Sequence, residues 1–94
     1  MEKSYFKLKA TVQLVGELIH IERENKFDLF KKVLTLETPD GQVLFPEIWN
    51  NKLKVLEREN IGVGCAVEIE YCFQGSEKNG KIYNNIFIHK ITKL

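Results

Sequence analysis

Along most of this chain every second residue is apolar, and that alternation limits the fold more than any other feature. Leu8, Ala10, Val12 and Leu14 alternate with Lys9, Thr11 and Gln13, and Val67, Ile69, Tyr71 and Phe73 alternate with Glu68, Glu70 and Cys72. Successive side chains of a strand point to opposite faces, so the pattern specifies strands with one dry and one wet side. The first stretch predicts one long bent strand over residues 7–22, resumed after Gly16 by Leu18, Ile19 and Ile21. A glycine inside such a strand suits a bulge or a sharp corner.

A second strand is expected from Phe30 to Thr38, with Leu34 and Leu36 inward and Lys31, Val33 and Thr35 on the other side. Thr38-Pro39-Asp40-Gly41 reads as a tight turn, because proline presets its φ and glycine accepts a positive one. The chain returns as a third strand from Gln42 to Trp49. Pro46 cannot donate a ladder hydrogen bond there and marks an edge or a bulge. Asn50-Asn51 predicts a helix start through side-chain capping. Leu53, Val55 and Leu56 supply its apolar face, and the run Asn60 to Gly64 stops it. The fourth strand follows, with Tyr71 and Phe73 continuing the core face of Val67 and Ile69. Gly75 to Gly80 is a polar loop whose Asn79-Gly80 pair signals a hairpin. Lys81 to Lys93 completes the set as a fifth strand, with Tyr83, Ile86, Ile88 and Ile91 as core contributors.

Three strands, a helix and two strands, the first long and bent, make a mainly all-β five-stranded Greek-key barrel with one helix between strands 3 and 4, which is the OB fold. Residues 1–94 are expected to form one such domain. A β-grasp or another α+β roll is the alternative layout.

Composition narrows the function. With 44% hydrophobic residues the chain is not a disordered one. A formal net charge of +1, from 14 basic and 13 acidic residues, carries no global signature of a polyanion partner, so any such role rests on local charge. The positive bias lies in residues 74–94, where Lys78, Lys81, Lys90 and Lys93 face Glu77 alone. Cys65 and Cys72 read as reduced thiols. Neither belongs to a CxxC pair and His20 and His89 are distant in sequence, so no metal site is expected. The first nine residues lack the apolar run of a signal peptide, and no stretch approaches the roughly 20 apolar residues of a membrane span. A cytoplasmic protein without a membrane partner is the expectation. Neither Ser4 nor Ser76 lies in a nucleophile elbow, Gly62-Val63-Gly64 fits a helix stop, and Glu68 and Glu70 share a face without further convergent ligands. These residues predict no catalytic group and no cofactor.

Several stretches carry a resemblance. Val33-Leu34-Thr35-Leu36-Glu37-Thr38, Glu47-Ile48-Trp49, Gly64 followed by Val67-Glu68-Ile69-Glu70-Tyr71, and Asn79-Gly80-Lys81-Ile82-Tyr83-Asn84-Asn85-Ile86 ending in Lys90-Ile91 lie in a telling order and spacing. Together they resemble short bacterial proteins of unassigned function that share the fold of single-stranded DNA-binding proteins. The chain departs from them at Pro46 and His89 and in a longer segment before Gly16. The resemblance implies an OB fold and single-stranded nucleic acid, DNA before RNA, as the partner.

Such binding needs aromatic faces for stacking and cations along the backbone path. If Leu44 and Ile48 are inward, Phe45 and Trp49 point outward from the third strand, with Lys31 on the matching side of the second. Arg23, Lys26 and Phe27 fall in the loop after the first strand, and Lys78 and Lys81 in the last hairpin. These eight residues are the candidate binding set for a weak, sequence-tolerant interaction. Other readings stand beside it. Phe45 and Trp49 could pack on the helix or form a dimer contact, Phe27 could plug its own loop, and the whole could be a protein-docking or homo-oligomeric module.

Overall fold

The computed structural model describes residues 4–94. Its strands are β1 (Phe6–Val15), β2 (Ile19–Ile21), β3 (Leu29–Glu37), β4 (Val43–Leu44), β5 (Glu47–Trp49), β6 (Ala66–Lys78) and β7 (Lys81–Lys93). Between β5 and β6 lie a 3-10 turn over Asn50–Leu53 and the one-turn helix α1 (Lys54–Arg58). The strand neighbours run β1, β6, β7, β5, β3, and β3 pairs back onto β1, so the hydrogen-bonded circuit closes on itself. All pairings are antiparallel except β5 with β7, which meet in parallel at Glu47 and Phe87. This is the five-strand OB circuit, with its first strand divided into β1 and β2 and its third into β4 and β5.

Both divisions have local causes. Gly16 donates its N–H to the Val33 carbonyl at 2.9 Å, and a Cβ at residue 16 would stand 2.6 Å from that same oxygen. Only a residue without a side chain permits this approach, so the chain turns the corner there. Pro46, fully buried, divides the return strand: its carbonyl accepts from Leu34 N–H at 2.9 Å, but its ring nitrogen offers no donor. The β3–β4 turn forms as expected. Thr38 and Gln42 exchange backbone and side-chain hydrogen bonds, the Thr38 hydroxyl donates to the Asp40 carboxylate, and Gly41 takes φ +87°.

The core is the inner side of the circuit. Val12, Leu34, Leu36, Ile48, Val67 and Ile69 are almost wholly shielded, with Ala10, Leu56, Ile61, Ile88 and Ile91 closing around them. Among the described residues no helix is long and apolar enough to cross a membrane. Cys65 and Cys72 are free thiols.

Five expectations need correction. Tyr83 is not a core contributor of β7: it pairs with Ser76 on the outer side of the projecting hairpin and is exposed. Leu14 does not continue the core face. Val12 pairs with Leu36 but Leu14 with Thr35, so Gln13 is an extra residue in β1 that turns Leu14 to the outer face. Phe73 keeps the inward parity of Val67 and Ile69, yet it is exposed, because β6 and β7 run on past the end of the barrel. Tyr71, one step nearer, is partly buried against the core. Phe27 does not plug its loop; the residue is 92% exposed. Asn50 does not cap the helix either. It adopts φ +51°, and its Oδ1 instead accepts the Phe30 backbone N–H at 3.0 Å, which ties β3 to the start of the 3-10 turn.

Candidate nucleic-acid interface

The ladder register assigns one continuous outer face. Ile19 and Ile21 pair with Lys31 and Leu29, Lys31 with Trp49, Val33 with Glu47, Glu47 with Phe87, and Phe87 with Cys72. Cross-strand partners share a side, so these residues form a stripe across β2, β3, β5, β7 and β6. Beyond Cys72 the same parity carries Gln74, Ser76 and Lys78 with their partners Asn85, Tyr83 and Lys81 along the projecting hairpin.

Trp49 stands near the middle of the stripe. Its ring lies 6.1 Å from that of Phe87, tilted by 39°, and the Lys31 ammonium sits 5.0 Å from its centroid. The same Lys31 Nζ donates to Glu47 Oε1 at 2.7 Å, and the Glu47 side chain is nearly buried. A cation held between a carboxylate and an indole face is fixed in direction, and its charge is largely answered inside the protein. Trp49 is half-buried, and its indole Nε1 is cut off from solvent without an acceptor among the described residues.

Beside Trp49 and Phe87 opens a cleft of about 420 Å³. Clefts that take small ligands run roughly 300–1,000 Å³. Tyr5, Asn50, Asn51, Lys52, Gln74 and His89 are among the other residues that line it. Tyr5 and His89 stack with centroids 4.3 Å apart, and Lys52 Nζ lies 3.4 Å from His89 Nδ1. His89 reaches this position because it is the extra residue of a bulge: Glu70 pairs with Lys90 and Tyr71 with Ile88, leaving His89 without a partner on β6. Its place in the sequence gave no sign of this.

The eight expected residues separate into three groups and one lone residue, Phe45. Lys31 and Trp49 come together as ladder partners. Arg23, Lys26 and Phe27 stand apart on the β2–β3 loop, where Asn25 turns the chain at φ +58°. There the Arg23 guanidinium donates twice to the Phe27 carbonyl, at 2.9 and 2.7 Å, which clamps the loop and leaves the Phe27 ring outside. Lys78 and Lys81 face each other as the last pair before the Asn79-Gly80 turn. Phe45 is 61% exposed at the break between β4 and β5, displaced from Trp49 by the proline rather than aligned with it on one strand. Among the described residues Lys26, Lys78 and Lys81 form no ion pair.

Phe87, Gln74, Lys52 and Tyr5 escaped the sequence reading. Phe87 had one available signal: Ile86 and Ile88 were assigned inward, which by alternation places Phe87 outward. Among the described residues no cluster of three or more His, Cys, Asp or Glu stands ready for a metal ion.

No protein-family model matches the chain, and no curated protein sequence matches it. Solved structures do resemble it. The second OB-fold domain of replication protein A from Methanococcus maripaludis superposes with a TM-score of 0.67 at 16% identity, over 100% of this chain and 87% of that one. The mitochondrial single-stranded DNA-binding protein Rim1 of S. cerevisiae gives 0.66 at 12% identity, over 99% and 97%. The N-terminal domain of PriB from Thermoanaerobacter tencongensis, described as dimeric, gives 0.56 at 18% identity, over 96% and 94%. The likeness spans the whole chain and shows that it has the OB fold. At these identities it speaks for architecture alone.

Proposed function

We propose that this chain binds single-stranded nucleic acid, DNA in preference to RNA, across the outer face centred on Trp49. The observation that carries the reading is the half-exposed Trp49–Phe87 pair beside a cleft, flanked on one side by the β2–β3 loop and on the other by the hairpin lysines. A strand laid over this face stacks bases on Trp49 and Phe87, while Arg23, Lys26, Lys78 and Lys81 meet phosphates. Phe45 and Phe27 are further rings within reach of a strand that wraps the barrel. Each stacked base contributes about 1–3 kcal/mol and tolerates any sequence, because every base has a π-face. The three structural neighbours named above, one of them a single-stranded DNA-binding protein by description, support the same reading at the level of fold.

Trp49 is the only tryptophan of the chain, so its fluorescence reports the site directly. Titration with oligo-dT at low salt is expected to quench it, and added salt to reverse the quenching by about 0.7 units of log affinity per unit of log salt for each phosphate contact. An unaltered emission at low salt overturns the proposal.

A second reading has its own observation. Phe6, Tyr71 and Phe73 form an aromatic cluster with centroids 5.6–5.8 Å apart, and Phe6 and Phe73 are exposed. This patch suits contact with a protein, a second copy included.

A further inference from the structure

We infer that the bound strand does not stop at Trp49 but continues past Lys52 and His89 into the groove between α1 and β7, where Lys52, Arg58 and Lys90 meet its phosphates. The inference rests on the nucleic-acid reading above and adds a second arm to that site.

Two local patterns build the groove. Lys52, Val55 and Arg58 recur at every third residue, which sets them along one side of the 3-10 turn and α1. His89 and Lys90 line the same groove from β7, at the bulge where the ladder to β6 skips a residue. The groove has a volume of about 400 Å³. Asn51, Lys52, Ile88 and His89 line both it and the Trp49 cleft, so the two form one trough. The contact of Lys52 Nζ with His89 Nδ1, at 3.4 Å, marks the passage from one to the other.

The trough is cationic although the chain as a whole is nearly neutral. Lys52, Arg58 and Lys90 face Glu59 alone in the groove, and no aspartate or glutamate lines the Trp49 cleft. Among the described residues Lys52 and Lys90 form no ion pair, and Glu70, the ladder partner of Lys90, does not reach it. Arg58 meets Glu59 at 3.8 Å, but both side chains are largely open to water, where such a contact holds weakly. These cations are therefore free for a phosphate in a way that Lys31, bound to the nearly buried Glu47, is not.

The floor favours a nucleic-acid strand over a peptide. Ile48, Ile88 and Ile91 are almost wholly shielded and Val55 is half-buried, so the groove offers little apolar surface to grip a side chain. A phosphodiester backbone needs only the charged rim. Single-strand sites combine rings for the bases with a cationic groove for the backbone. Here the rings stand at one end of the trough and the cations at the other.

The test follows Trp49 emission during titration with oligo-dT of about twelve nucleotides, within the span of one OB fold, at several salt concentrations. The unmodified chain is compared with Arg58→Gln/Lys90→Gln and with Lys9→Gln/Lys54→Gln. The second pair removes the same charge from residues that line neither cleft. All four side chains are exposed, so equal thermal melting is expected and certifies the fold. The groove variant is expected to reduce the salt slope by about 1.4 units, 0.7 for each phosphate contact, and the affinity about 25-fold near 0.1 M salt. The second variant is expected to keep the slope of the unmodified chain. Neither Arg58 nor Lys90 lines the Trp49 cleft, so this loss, read at Trp49, shows one strand spanning both. An unchanged slope in the groove variant, which is also the result if the groove serves an acidic peptide, overturns the inference and leaves the binding proposal intact. Equal losses in the two variants mean attraction to total charge alone and overturn it as well. Unaltered emission of the unmodified protein overturns the proposal beneath it.

Discussion

The barrel body and the projecting end of the β6–β7 hairpin carry the same alternating pattern and put it to different ends. In the body, Leu34 and Leu36 on β3 and Val67 and Ile69 on β6 are wholly shielded. Along the hairpin, Phe73 and Ile82 keep the same inward parity and lie open, Ile82 at 77% exposure. The cause is what stands opposite. In the body each strand has neighbours on both edges and an opposing wall of the closed circuit. Beyond Phe6, the first residue of β1, β6 has β7 on one edge and no pairing strand on the other among the described residues. Alternation thus specifies a strand and its two sides, whereas burial requires a second surface. The proposed interface lies where the two regions join, at Cys72 and Phe87, with rigid barrel on one side and the exposed ladder on the other.

This contrast can be pressed from its strong end first. Leu34→Ala removes a fully shielded side chain from the closed wall and is expected to cost about 2–5 kcal/mol in denaturant unfolding. Next comes the corner that lets the circuit close. Gly16→Ala places a methyl group against the Val33 carbonyl and is expected to cost about 1–3 kcal/mol, read by the same unfolding measurement. A loss as small as that of an ordinary surface substitution would show that β1 can bend without this contact. At the weak end, Phe73→Ala is expected to change stability by no more than about 0.5 kcal/mol. Light scattering on the same variant separates the two readings of the aromatic patch. If the parent protein is a dimer that this variant dissolves into monomers, the hairpin has a covering partner and the contrast with the barrel holds only for the lone chain.

The sequence made the wall legible and the joints illegible. Leu34, Leu36, Val67, Ile69, Ile48 and Ile91 declare their positions by spacing, and the Thr38–Gly41 and Asn79-Gly80 turns by composition. The bulges at Gln13 and His89 leave no mark in the sequence, since an extra strand residue costs one pairing and needs no special side chain. Yet these bulges decide that Leu14 faces outward and that His89 reaches the cleft. Phe27 misled for another reason: an aromatic in a polar loop suggests a buried anchor, but the Arg23 clamp on its carbonyl orders the loop without using the ring. At the interface, the pairing of Lys31 with Trp49 followed from strand parity. The capture of that lysine by Glu47 did not, because it depends on a long-range side-chain contact between residues 16 positions apart.

That capture has a consequence for ionic behaviour. Glu47 serves Lys31 as a counterion bound to the chain itself, at 2.7 Å. When a phosphate approaches, the group it must displace is a tethered carboxylate rather than a diffusible anion or cation from solution. No small ion is liberated by that exchange, so the contact adds little to the dependence of affinity on electrolyte. The count of phosphates inferred from an electrolyte series would then reflect the other cations on the strand's path, and the lysine at its centre would act chiefly by holding the indole ring in place.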